Sequence, residues 1–331
     1  MKILIVGGTQ FIGRHITQSL ISQGDEVTLF HRGRTNPHMF PGSEHRIGDR
    51  NTDLSALSTG NWDATIDTSA YLPVQVRKLH EALGDKGGRY VHISSVSAYT
   101  TPTAPGYDEE LPIQHLADPD NTKLNNSTYG PLKAECERAT LETFGSSAET
   151  PVSIVRPTYV AGPHDHTGRF TWWVERIARG GSVLAPGPKE NPFQVIDVRD
   201  LADFVVRLAH GDTAGTFHSV SPPPPFTFQN FLETTAEVVG PLDTEFVWAD
   251  PVQLEQIGAK DEDFPLWAGD EEDRLISSAD PGRALAAGLS PRPISETIRD
   301  IHTWVLTGKD VVQPDVGIGS ERELELLKML C

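Results

Sequence analysis

MKILIVGGTQFIG, residues 1–13, runs the apolar ILIV of a short strand into two glycines and closes on a third at Gly13. The stretch that follows, FIGRHITQSLISQG, repeats Ile12, Ile16 and Leu20 at four-residue steps and stops at Gly24, as a helix with one buried face does. Strand, glycine turn and helix in that order let the backbone approach a diphosphate, which then lies at the positive end of the helix dipole. Gly7 permits the tight turn, and Gly13 permits close packing of helix on strand. Gln10 stands where a middle glycine is expected, and its polar side chain can extend over the phosphates.

The pattern continues through the first half of the chain. Short apolar runs at Ile3–Val6, Glu26–Phe30, His45–Ile47, Ala64–Asp67, Arg89–Ile93 and Val152–Val155 read as strands buried on both faces. Helices are predicted between them, at Val74–Leu83 and at about Ser127–Phe144. Such alternation predicts an α/β fold, a doubly wound parallel sheet of the Rossmann type. After Arg156 the composition shifts to Gly, Pro, His and Trp, and GSVLAPGPKENP reads as turns or loop. NPFQVIDVRDLADFVVRLAH then returns as a strand and an amphipathic helix that could rejoin the sheet.

The expected organisation is a dinucleotide-binding domain over 1–157, rejoined by about 191–212, and a smaller mixed α/β substrate domain from 158–190 and 213–310. That smaller domain holds a strand at Thr216–Val220 and helices near 228–238 and 295–306. A tail over 311–331 carries a short helix, with Ser320 and Glu323 at capping-box spacing. The four prolines at 222–225 read as a stiff loop.

Composition bounds the function. The chain has 331 residues and a formal net charge of -18, which argues against a general affinity for nucleic-acid backbones. Cys136 and Cys331 are its two cysteines, so no disulfide framework is implied. The opening lacks a signal-peptide core, and no run approaches the roughly 18 apolar residues of a membrane span. A cytoplasmic protein without membrane contact is expected.

The second strand ends in FHRGR, with no acid to accept hydrogen bonds from an adenosine ribose. Arg32 and Arg34, with Arg14 nearby, instead offer guanidinium groups to a 2'-phosphate, which favours NADP(H) over NAD(H). Asp49 is a candidate partner for the adenine amino group. In STYGPLK, Tyr129 and Lys133 share a helix face at four-residue spacing. An ammonium beside a phenol would lower its pKa toward the working pH and suit it to proton exchange at a carbonyl or alcohol. YVHISSVSAY delivers Ser94 and Ser95 to the carboxyl edge of the sheet, where doubly wound folds bind ligands.

Taken with IVRPTYVAGP and VIDVRDLADFV, these motifs resemble the extended short-chain dehydrogenases, also called the NAD-dependent epimerase/dehydratase family, over most of residues 1–305. The resemblance implies Ser95 as the catalytic hydroxyl, Tyr129 as acid/base and Lys133 as its partner and ribose contact. It places Thr9, Gln10, Phe11 and Ile12 of the turn beside the cofactor, together with Thr68, Ser69, Ser94 and Thr158. Tyr71, Ser97, Tyr159, Val160, His164 and Arg169 would face a small-molecule substrate. Gln10 before FIG, with VTLFHRG, is similar to a subgroup containing chloroplast stem-loop-binding proteins and bacterial reductase-like homologues.

Some of those relatives associate with RNA, so a non-catalytic dinucleotide-binding regulator or RNA-binding protein is the alternative class. The leading expectation is an NAD(P)-dependent oxidoreductase or epimerase acting on a hydroxyl or carbonyl of a sugar-like or nucleotide-linked metabolite. Val96 and Ser97 stand where the family's dehydratases resemble one another in an Asp-Glu pair, which argues against dehydration. His164, Asp165 and His166 lack further ligands at metal spacing, so no metal is assigned. Pro131 inside the Tyr-x-x-x-Lys spacing is tolerable if its missing N–H falls in the unpaired first turn. A homodimer through exposed helices of the large domain is what the resemblance implies.

Overall fold

A computed structural model describes residues 1–146, 150–270, 274–308 and 315–330. The candidate strands of the first half all form: β1 (Lys2–Val6), β2 (Glu26–His31), β3 (Glu44–Ile47), β4 (Ala64–Asp67), β5 (Arg89–Ile93) and β6 (Val152–Pro157). With β10 (Gly215–Ser219) they make a seven-stranded sheet of order β10-β6-β5-β4-β1-β2-β3, parallel at every pairing. Strand order reverses beside β1, and that switch point opens a crevice at the carboxyl ends of β1 and β4.

The alternation of side chains along β1 divides the core. Ile3 and Ile5 pack on one face with Ile16 and Leu20 of α1 (Phe11–Ser22). Leu4 and Val6 pack on the other with Leu79 of α2 (Pro73–Leu83) and Ala139 of α3 (Asn126–Thr143). Both faces are covered, which is why these strands are continuously apolar rather than alternating.

A second core, around Phe170, Trp173, Phe193 and Phe231, belongs to the smaller part of the molecule. It joins α4 (Arg169–Ala178), α6 (Phe228–Val239) and α9 (Ile294–Thr307), with α7 (Pro251–Gln256) beside them. Trp173 is fully buried and donates to the Pro265 carbonyl at 2.6 Å, and Trp172 packs against Gly317, so this pair is structural.

Three local expectations are corrected. GSVLAPGP is not loop throughout: Ser182–Pro186 is β8, paired in parallel with β11 (Glu245–Ala249). The unit at 191–212 adds no strand to the large sheet: its helix, α5 (Val198–His210), packs on α1, and Ile196 of its strand joins the same core. Its strand, β9 (Val195–Asp197), pairs with β7 (Tyr159–Ala161), and the seventh place in the sheet is taken by β10. Glu323 of α10 (Ser320–Leu330) makes a buried ion pair with Arg176 and accepts the Leu184 N–H at 3.1 Å. Tertiary pairing engages the carboxylate that spacing alone assigned to a cap. Cys331 lies outside the described residues, and a short helix, α8 (Gly282–Ala286), precedes α9. Among the described residues no helix is long and apolar enough to cross a membrane.

Candidate functional site

The glycine turn at the end of β1 is built for close approach. Gly7 has φ +114°, and a Cβ there would lie 2.3 Å from Thr68 Oγ1, whose hydroxyl donates to the Val6 carbonyl. At Gly13 a Cβ would lie 2.6 Å from the Gly8 backbone nitrogen. Gly8, with φ +95°, is a required glycine that the motif reading left without a role. Gln10 is the extended N-cap of α1 and makes no capping hydrogen bond, so the first-turn N–H groups lack a side-chain cap. Phe11 follows with φ +32°, a region that a bulky residue occupies only under strain.

This turn forms one wall of a cleft of about 380 Å³. Arg32, Arg34 and Asp49 form another. Both arginines are exposed and make no ion pair among the described residues. Asp49 Oδ1 accepts the Asn51 N–H, which lowers the carboxyl's pKa, and the charges of Arg32 and Arg34 act in the same direction. Arg14 does not line the cleft. The arginine turn has its own scaffold: Gly33 N–H donates to His31 Nδ1 at 3.0 Å, and His31 Nε2 meets His45 Nδ1 at 2.8 Å. Burial holds His31 below the usual histidine range. Thr9, expected at the cofactor, has its hydroxyl committed to the Thr35 carbonyl at 2.8 Å and so ties the glycine turn to the arginine turn.

Below the cleft, Arg50 and Asp67 form a buried bidentate pair, with Tyr90 donating to the same carboxylate at 2.8 Å. Arg50 also donates to Ser69, another cleft residue. Sequence reasoning missed this pair, because nothing in the local pattern links the end of β4 to the loop after β3.

Tyr71 closes the cleft's other end and leads to the catalytic candidates. Its ring lies 5.5 Å from the Lys133 ammonium and 6.5 Å from the Tyr129 ring. The Tyr129 phenol lies beside Ser95, whose hydroxyl opposes the rise in the phenol's pKa and whose Oγ accepts the Ser97 N–H at 3.1 Å. Gly130 makes that meeting possible: a Cβ there would come 2.2 Å from the Ser97 carbonyl oxygen, so only glycine lets α3 dock this closely.

The electrostatics differ from expectation. Burial raises the Tyr129 pKa, and the groups opposing it are Ser95 and the Arg169 guanidinium, not Lys133. Lys133 is itself buried and donates to the carbonyls of Ala70 at 2.9 Å and Ile93 at 2.6 Å, which pins α3 to the ends of β4 and β5. Pro131 also departs from expectation. The helix begins at Asn126, so the proline lies past the unpaired first turn and the Ser127 carbonyl, in an exposed residue, loses its helical partner to solvent. Ser94 points away from the cleft: its hydroxyl donates to Glu137, which Arg156 grips through two nitrogens.

On the smaller side, Arg169 at the start of α4 stacks over Tyr159, 5.0 Å from the ring centroid. The Thr158 hydroxyl meets the Gln194 carbonyl at 3.3 Å, and Val160 packs against the large core. His164 does not reach the cleft. Its ring packs between His15 and Trp304, whereas His166, passed over as a site residue, is in the cleft wall. Asp165 is buried and accepts from the backbone and hydroxyl of Thr167.

The family described as "NAD dependent epimerase/dehydratase family" matches residues 56–217. The epimerase/dehydratase resemblance is borne out. The chain is 27% identical over 271 residues to the Chloroplast stem-loop binding protein of 41 kDa b of Arabidopsis thaliana, covering 77% of this chain and 67% of that protein. Among solved structures, UDP-N-acetylglucosamine 4-epimerase from Bacillus cereus superposes with a TM-score of 0.68 at 17% identity, over 95% of this chain and 99% of the other. UDP-glucose 4-epimerase from Thermus thermophilus, in complex with NAD, gives 0.65 at 20% identity, over 92% and 99% of the two chains. At these identities the structural likenesses establish the fold that the family carries.

Proposed function

We propose that this chain is a nicotinamide-dinucleotide-dependent oxidoreductase or epimerase that acts on a hydroxyl or carbonyl of a sugar-like or nucleotide-linked metabolite. The observation that carries this reading is the meeting of Tyr129 with Ser95 and Tyr71 at one end of a glycine-walled cleft. The cleft suits a dinucleotide: Gly7 and Gly13 leave no room for a Cβ, the first turn of α1 is uncapped, and Arg32 and Arg34 have no anionic partner but Asp49 nearby. Those two arginines favour NADP(H) over NAD(H). The second oxygen of Asp49 is left for an adenine amino group.

When bound, the cofactor supplies or accepts the hydride. Ser95 would hold the reacting oxygen and Tyr129 would exchange its proton with it. Lys133 would act mainly as a clamp on the strand ends, and the third N–H of its ammonium, beside Tyr71, would hold a ribose hydroxyl. Burial raises the phenol's pKa, which suits Tyr129 to donating a proton to a carbonyl oxygen.

The test is Tyr129→Phe with a carbonyl substrate. We expect turnover to fall by roughly 10²-fold or more, and retention within about tenfold would reject the assignment. The name of the Arabidopsis relative supports a second reading, an RNA-binding protein of the same fold. That reading requires a salt-dependent RNA affinity unaffected by Tyr129→Phe.

A further inference from the structure

We infer that His166 is a binding residue for the pyrophosphate of the dinucleotide, supplied across the cleft by the smaller part of the molecule. The inference rests on the dinucleotide reading above. Among the described residues that line the cleft, all lie between Val6 and Gln75 except His166. Its ring meets Phe11 edge-on, with centroids 6.1 Å apart, and Phe11 is the first residue of the uncapped helix whose N–H groups await an anion. His166 is exposed toward the cleft and makes no hydrogen bond or ion pair among the described residues.

The loop that presents His166 is fixed on both sides of it. His15 of α1 donates to the Pro163 carbonyl at 3.0 Å, and the His164 ring packs against both His15 and Trp304. After His166, the buried Asp165 carboxylate takes the Thr167 N–H at 2.8 Å. An imidazole with a ring N–H uncommitted to any described residue, beside the first residue of α1, suits a diphosphate oxygen, and the neighbouring Asp165 carboxylate is turned to Thr167. Since the loop continues directly into Arg169 and α4, seating the pyrophosphate would also order the residues that face the substrate.

The experiment compares His166→Ala and His166→Gln with Arg32→Ala in the full chain by calorimetric titration of NADP(H), ADP-ribose and 2'-AMP, with thermal midpoints as a fold control. ADP-ribose carries the pyrophosphate without nicotinamide, and 2'-AMP carries only the adenosine end. We expect both His166 variants to lose roughly tenfold to a hundredfold in affinity for NADP(H) and ADP-ribose while 2'-AMP binding stays unchanged. Unchanged ADP-ribose binding would overturn the inference, as would an equal loss for 2'-AMP. If the wild-type protein binds no dinucleotide at all, the underlying reading fails and this one with it.

Discussion

Arg50 and Asp67 face each other as a bidentate pair beside the cleft, both guanidinium NH groups 2.7 Å from a carboxylate oxygen, and both side chains buried. Burial alone would raise the Asp67 pKa, but the Arg50 charge and hydrogen bonds override it and hold the carboxyl well below the usual range. Removing Arg50 would leave Asp67 charged and unpartnered except for Tyr90 and the Ser69 N–H. We therefore expect Arg50→Met to cost about 3–5 kcal/mol in urea unfolding at neutral pH.

The same pair sets a pH dependence. A carboxyl whose folded pKa is depressed contributes stability above its unfolded value of about 3.9, and loses it as pH falls from there through the folded value. Wild-type stability should fall below about pH 4, and Arg50→Met should remove the part of that slope owed to Asp67. Denaturation midpoints between pH 2 and 7 for both proteins measure the difference, and identical slopes would contradict the assignment.

Burial of Tyr129 predicts the shape of the rate profile. A phenol raised above its ordinary value of about 10 remains a proton donor through neutral pH. Carbonyl reduction should stay flat through the neutral range and decline only at strongly alkaline pH, while alcohol oxidation, which needs the phenolate, should climb with pH. Initial rates in both directions from pH 6 to 10.5 decide this, and an oxidation rate already level at pH 7 would refute it.

Gly130 is the contact point between α3 and the Ser95–Ser97 turn. Gly130→Ala adds a methyl 2.2 Å from the Ser97 oxygen, and both backbones must shift. The expected cost is about 1–3 kcal/mol in stability. Turnover should fall by up to roughly 10²-fold, because Tyr129 moves relative to Ser95. A variant with full activity would show that the Tyr129–Ser95 distance is not critical.

Arg32 tests cofactor choice. Arg32→Ala should weaken NADP(H) by roughly tenfold to a hundredfold and leave NAD(H) within about threefold. Equal losses for both, measured by fluorescence titration, would assign the arginine to general phosphate attraction.

The strands and helices of the large sheet were legible because both periodicities are strong there, and the family motifs carried Ser95, Tyr129 and Lys133 with them. Positions within the site were legible where a residue's own backbone dictates its place, as at Gly7 and Gly13. They were not legible where a distant partner decides. Ser94 turns to Glu137, and Thr9 is engaged by Thr35. His164 and His166 are equivalent in the string GPHDHTG, and only the contact of one ring with Trp304 and of the other with Phe11 separates them. The amino-acid sequence by itself thus determined the parallel sheet, the glycine turn and the order of the catalytic candidates, since local periodicity and backbone geometry are written in consecutive residues. Tertiary structure alone decided that Lys133 donates to the carbonyls of Ala70 and Ile93, that Arg50 pairs with Asp67, and that β10 rather than β9 completes the sheet. Each of these depends on burial and on charges brought together across loops, and no spacing along one segment encodes that.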